Sequence, residues 1–437
     1  MKKIPDMDRE PASKRMTASS LATVVSLLLF LGPALSMVAT SIYPSLGLIL
    51  TAIGLYSLSR NASDLTRARA TSVQAPFLAI WALLAFGIVM LLENILHRER
   101  WGAYHIVIAI IVLWPAYFAC AIPGVKPRAL WAGAAVGAIT AVSLAIFQVF
   151  FLGYARASGL TNPIPFGNVS LILATGSLIG LLRPEAKSLH RAETFLYVAG
   201  GFAGIGASLL SGTKSGWLSL FIIAFVAYGL FPARTLRWKK WLAGLGVATI
   251  LGLIITLPQI PVMSRMVSMW EGVQSWVTTG DITEGSIGPR LEMWKFGLDV
   301  ATEKPLLGFG KDGMVERKRQ AIEAGNYSPG IAVFATLHNE FLNMWVTKGL
   351  VGTVALLAVF GSVFFTFFRT RKSPNWQLRC ISLMGTSLTL MFLEFGIGEI
   401  ALLLNSYRHV FLFWVFALAG LSFRMTQEDL RLTPVPR

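Results

Sequence analysis

Residues 336–349 read TLHNEFLNMWVTKG, a seam where a long polar stretch ends and an apolar one begins. His338 and Asn339 stand on it, in a chain of 437 residues with only 5 histidines. A helix N-terminus and nearby arginines both disfavour the imidazolium, so the ring is expected to be neutral near pH 7. A neutral imidazole accepts a proton, which is what a general base must do. The competing reading is a plain capping or packing histidine. Thr336 is expected to cap the following helix, with Asn339 or Glu340 in its first turn.

The cations that could join His338 are Arg290 in GPRLEMW, Arg265 in VMSRMV, Lys214 in SGTKSG and Arg156 in YARASGLTNPIPFGN. Together they could form a cationic pocket. Arginine suits phosphate because its planar fork binds two oxygens at once, whereas lysine offers a point charge. Arg290 follows Gly-Pro at a helix start, where the macrodipole disfavours a cation, so its placement favours a function. Arg265 could instead lie on a solvated helix face. Lys214 and Arg156 could snorkel to headgroups, and Arg408 could pair with Glu399. The segment 259–349 contains no Asp-x-Asp pair, and Glu284, Glu292, Glu303 and Glu340 read as surface or capping residues. Cys120 and Cys380 fall inside apolar runs without metal-ligand spacing and read as core residues.

The elements that must position these groups follow from composition. The chain is 54% hydrophobic and only 14% charged, with a mean hydropathy of +0.63. A soluble chain carries about a quarter charged residues, so the class is an all-α polytopic membrane protein. Apolar runs predict about twelve transmembrane helices near 20–40, 43–59, 75–93, 104–123, 129–152, 167–182, 194–211, 216–232, 241–258, 340–368, 380–398 and 405–423. The first is read as an uncleaved span, because its apolar run exceeds a signal-peptide core. The net charge of +16 resides in short loops, so it points to membrane topology and to no nucleic acid. With the N-terminus in the cytoplasm, 24 of the 38 basic residues fall on the inner side, which sets both termini inside.

One long extramembrane segment, 259–339, divides the chain into an N-terminal bundle (1–258), this outer loop and a C-terminal bundle (340–437). Met263, Met266, Val267, Trp270, Val273 and Val277 predict one amphipathic helix in it. Leu291, Trp294, Leu298 and Ala301 predict the apolar side of a second. Pro305, Gly308, Gly310 and Gly313 predict turns. Such helices would lie on the membrane surface or cap the spans.

The order Arg290, Trp294, Pro305, Gly308, Gly310, His338, Asn339, then Gly349 and Gly352, resembles the core signature of the O-antigen ligase and polymerase superfamily. The match covers residues 288–352. That resemblance implies a metal-independent, cofactor-free, inverting membrane glycosyltransferase of GT-C-like fold in a bacterial inner membrane, its site facing the periplasm. The donor would be an O-antigen glycan on undecaprenyl pyrophosphate and the acceptor a sugar hydroxyl of lipid A–core, alongside the membrane lipids. His338 would be the base. Arg290 and Arg265 would hold the pyrophosphate, with Lys214 and Arg156 assisting and Asn339 and Trp294 supporting. Family members tend to have Ser-Arg where this chain has Lys214-Ser215, which keeps the charge and loses the fork. Polymerase and protein O-oligosaccharyltransferase activities would share the donor chemistry. A secondary transporter would instead require repeated halves and mid-span charges; no such repeat is found and mid-span charges are nearly absent.

Overall fold

The computed structural model describes residues 12–39, 41–70, 75–182, 190–213, 216, 218–222, 224, 262–283 and 287–432, with side chains of 12–18, 61–70, 75–76, 262–265 and 430–432 left aside. The described residues are helical with no strand. Chain order gives α1 (Ala12–Leu35), α2 (Ile42–Ala70), α3 (Ala75–Leu96), α4 (His105–Leu113), α5 (Ala116–Cys120), α6 (Pro127–Ile146), α7 (Pro163–Ile179) and α8 (Arg191–Ser211). After the next described stretch come α9 (Val262–Thr279), α10 (Gly288–Ala301), α11 (Gly310–Glu323), α12 (Glu340–Phe368), α13 (Trp376–Gly398) and α14 (Asn405–Leu432).

Among the described residues, eight helical stretches are long and apolar enough to cross a membrane, and two shorter apolar helices, Ser19–Leu35 and Pro163–Ile179, accompany them. These ten coincide with ten of the expected spans. The expected span 241–258 lies outside the described residues, and of 216–232 only 216, 218–222 and 224 lie within them.

Local chemistry explains the boundaries. Asn162 caps α7 by accepting from the Ile164 N–H, and Pro163 follows at the first helical position, where its missing N–H costs nothing. Pro115 separates α4 from α5 inside one apolar run. Close packing of α1, α6, α7 and α8 relies on small residues: Gly133 and Gly137 lie against the backbone of Phe30 and Pro33, and Gly204 against Ser170. Helices α13 and α14 form the centre. Trp414, Tyr407, Phe392, Phe395, Phe411 and Phe416 are fully buried there, as expected for helices apolar on every side.

Above the spans, α9, α10 and α11 build a cap with its own core of Ile282, Met293, Phe296, Val300, Met314, Ile331 and Leu337, closed by Leu342 and Val346 of α12. Three expectations need correction here. The buried side of α10 is Met293, Phe296, Gly297, Val300 and Ala301; of the expected stripe Ala301 is buried, whereas Leu298 is 54% exposed. The alternative apolar stripe wins because it meets Leu342 and Val346. The turn expected at Gly310–Gly313 instead opens a third cap helix, α11. Glu292 is not a surface residue: it is buried and accepts from Trp276 Nε1 at 2.8 Å and Ser328 N at 3.2 Å, tying α9 and the 328 turn to α10.

Helix α12 is not one continuous rod. Gly349 has φ 63° and ψ −167°, a conformation essentially reserved for glycine, and it divides the expected span 340–368 in two. Backbone groups around the break are taken up by the turn 305–310. Leu350 N donates to Pro305 O at 2.7 Å, Val351 N to Leu306 O at 3.2 Å, and Phe309 N to Val346 O at 2.9 Å. A Cβ on Gly308 would lie 2.6 Å from Val346 O. Thus the glycines of the signature let two backbones meet.

Candidate active site

His338 occupies the last residue before the α12 cap. Its φ is +46°, one of two positive values among described non-glycine residues. The left-handed region costs an L-residue roughly 1–2 kcal/mol, so neighbouring contacts must enforce it. Trp294 Nε1 donates to Leu337 O at 3.0 Å, and Leu337 N donates to Asn343 Oδ1 at 3.2 Å. Asn339, not Thr336, is the N-cap: its Oδ1 accepts from Leu342 N at 3.0 Å. The Phe334 ring meets the His338 ring edge-to-face at 5.5 Å, while buried Lys318 donates to the Phe334 carbonyl. Burial pushes the Lys318 amine below its ordinary value.

The imidazole Nδ1 lies 3.0 Å from Glu399 Oε1, and the His338 side chain is 26% exposed against 9% for Glu399. Glu399 follows α13 and also accepts from Ile400 N at 3.1 Å. Burial pushes its carboxyl up. The contact with His338, the Ile400 N–H and the Arg290 charge outweigh that and hold it below its ordinary value. Glu399 is therefore an anion facing the imidazole. The sequence argument paired Glu399 with Arg408. Arg408 instead binds backbone, through Nε to Leu402 O at 3.4 Å and Nη2 to Leu403 O.

Arg290 lies in the first turn of α10, as its Gly-Pro context implied, within electrostatic reach of Glu399. Burial lowers its guanidinium from the ordinary value, and the Glu399 carboxylate partly restores it. It makes no hydrogen bond to another described residue, so its donors stay available to a ligand. The fold thus brings together His338, Arg290 and Glu399, with Trp294 and Asn339 supporting the turn.

The other cations stand differently. Arg156 donates from Nε to Ser211 O at 2.8 Å and from Nη2 to Gly212 O at 3.5 Å, capping the C-terminal carbonyls of α8. Lys214 lies outside the described residues. Arg265 lies in α9, with its side chain outside them. Of the four carboxylates read as surface or capping groups, Glu303 pairs with Arg317 at the surface, while Glu284 is outside the described residues. Glu340, like Glu292, is buried, with no exposed area. Glu399 is the functional candidate the sequence reading missed, and its placement right after a long apolar run was the available signal.

Residues 199–357 match the family described as O-antigen ligase. An uncharacterized protein of Haemophilus influenzae is 30% identical over 244 residues, covering 55% of this chain and 60% of the relative. The O-antigen ligase of Escherichia coli K12 is 24% identical over 241 residues, covering 53% of this chain and 56% of the relative. The chain therefore matches less than two thirds of either relative's length.

Proposed function

We propose that this chain, whose residues 199–357 match the O-antigen ligase family, transfers a glycan from undecaprenyl pyrophosphate to a sugar hydroxyl of lipid A–core. The reaction would run in the outer leaflet of a bacterial inner membrane, with both termini cytoplasmic. Twelve spans complete that topology once 216–232 and 241–258 are counted. The observation that carries the reading is the His338–Glu399 pair beside Arg290, a cation that makes no hydrogen bond to another described residue.

With Nδ1 protonated and facing the Glu399 anion, Nε2 holds the lone pair. It takes the proton from the acceptor hydroxyl as that oxygen attacks the anomeric carbon. The bond from that carbon to the pyrophosphate oxygen breaks, and its electron pair leaves with the pyrophosphate. Arg290 neutralises the growing charge, with Arg265, Lys214 and Arg156 as the further proposed cations. Glu399 stabilises the imidazolium until the proton is released. A single displacement inverts the anomeric centre and uses no cofactor.

The test is transfer by purified protein from undecaprenyl-pyrophosphate glycan to lipid A–core in EDTA. Wild type is expected to transfer, and His338→Ala to lose at least about 100-fold in rate. An equally active His338→Ala would reduce His338 to a structural turn residue. Lengthening of the donor glycan with lipid A–core untouched would make the protein the polymerase.

A further inference from the structure

Glu340 is fully buried, and the proton transfers above do not use it. Its Oε1 accepts from Leu402 N at 2.8 Å and from Leu403 N at 3.2 Å. Arg408 grips the carbonyls of these same two residues. Two consecutive residues of the loop 399–404 are thus held by an acid on their N–H groups and a base on their C=O groups. The loop starts at Glu399, and Glu340 lies two residues after His338. A closed ring results, running from His338 through Glu340 to Leu402, back along the loop to Glu399, and across 3.0 Å to His338.

A buried carboxylate carries a desolvation cost that a leucine of similar size avoids. The hydrogen-bond pattern gives its use. Loop N–H groups that pair with no helix or strand need acceptors inside the protein, and the acceptor chosen here belongs to the helix that begins at the candidate base. The tie couples the α13–α14 connection to the start of α12, and therefore couples Glu399 to His338.

We propose that Glu340 is a positioning residue that sets Glu399 against His338 by holding Leu402 and Leu403. This deepens the ligase reading and rests on it for its rate measurements. Arg408 is the opposing half of the same grip.

The experiment compares full-length wild type with Glu340→Leu and Glu340→Gln, each checked for a cooperative thermal transition. One readout needs no substrate: the rate of diethylpyrocarbonate modification at His338, followed by mass spectrometry across pH. The other is kcat and KM for glycan transfer. In Glu340→Leu the modification profile is expected to shift to that of Glu399→Gln. Its kcat should fall about 100-fold with KM unchanged, the penalty of a misplacement near 1 Å. Glu340→Gln should recover both readouts to within about threefold, since its amide oxygen still accepts from the loop. A folded Glu340→Leu with wild-type profile and kcat would overturn the proposal, as would a Glu340→Gln as impaired as the leucine variant. If Glu340→Leu does not fold, Glu340→Asp carries the same test, its carboxylate drawn back by one methylene. Absence of transfer by wild type would fail the ligase reading alone, and the modification profile would still decide the role of Glu340.

Discussion

His338 combines an unfavourable backbone conformation with a charged partner, and each has a distinct consequence. With the residue in the left-handed region, its ring lies against Glu399. An imidazolium facing an anion forms more readily than one facing an amide. In Glu399→Gln, kcat is expected to fall about 100-fold, within the range a positioned acid–base group supplies. Full activity in that variant would remove Glu399 from the reaction. The local part of this site was legible in the sequence. Arg290, Trp294, His338 and Asn339 announce themselves by spacing around helix starts. Glu399 was not legible, because its partner lies on another helix and a single sequence carries no information about that proximity. The same blindness assigned Arg408 to Glu399, when backbone carbonyls a few residues upstream hold it.

At the element scale, the break in α12 governs where His338 stands. Gly308 and Gly310 were visible as turn signals and Gly349 only through the resemblance, but their shared purpose was not. Periodicity reads 340–368 as one apolar helix, since a single non-helical residue leaves the hydrophobic pattern intact. The structure shows the turn 305–310 feeding carbonyls to the freed N–H groups of Leu350 and Val351. A Cβ at Gly349 would lie 2.0 Å from Leu306 O, at a φ that L-residues avoid. Gly349→Ala is therefore expected to destabilise the protein by about 3 kcal/mol, read as a lower thermal midpoint in detergent. A wild-type midpoint would mean that α12 can run straight and that the break is incidental. The cap helices were partly legible: α9 and α10 are where the apolar stripes placed them. The burying face of α10 depended on α12, which local periodicity cannot reveal.

Across the whole molecule, α3, the cap and α12 are joined by a buried ionic tie. Lys348 Nζ lies 3.0 Å from Glu99 Oε1 and 2.8 Å from Asn94 Oδ1, with side-chain exposures of 6% and 3% for the ion pair. Glu99 also accepts from Lys311 N at 2.6 Å, and the His97 ring donates to Leu307 O at 2.8 Å. One cluster thus links α3, the cap turn and the break in α12. Lys348→Met leaves the Glu99 carboxylate buried without its cation and is expected to cost about 3 kcal/mol. Adding Glu99→Gln should restore part of that, with a coupling energy above about 1 kcal/mol in a double-mutant cycle. A coupling near zero would mean that the pair does not act as a unit. The membrane class and ten helical stretches were legible because hydropathy reports them directly, whereas this tie joins residues far apart in the chain. The position of the break also sets a height. Residues 350–368 span about 28 Å at 1.5 Å per residue, close to the roughly 30 Å hydrocarbon core of a bilayer. On the proposed topology, the half-helix 340–348 then rises above the hydrocarbon by at most about 13 Å. That topology would hold His338 at headgroup level, where the proposed donor would present its pyrophosphate while its isoprenoid tail stays dissolved in lipid.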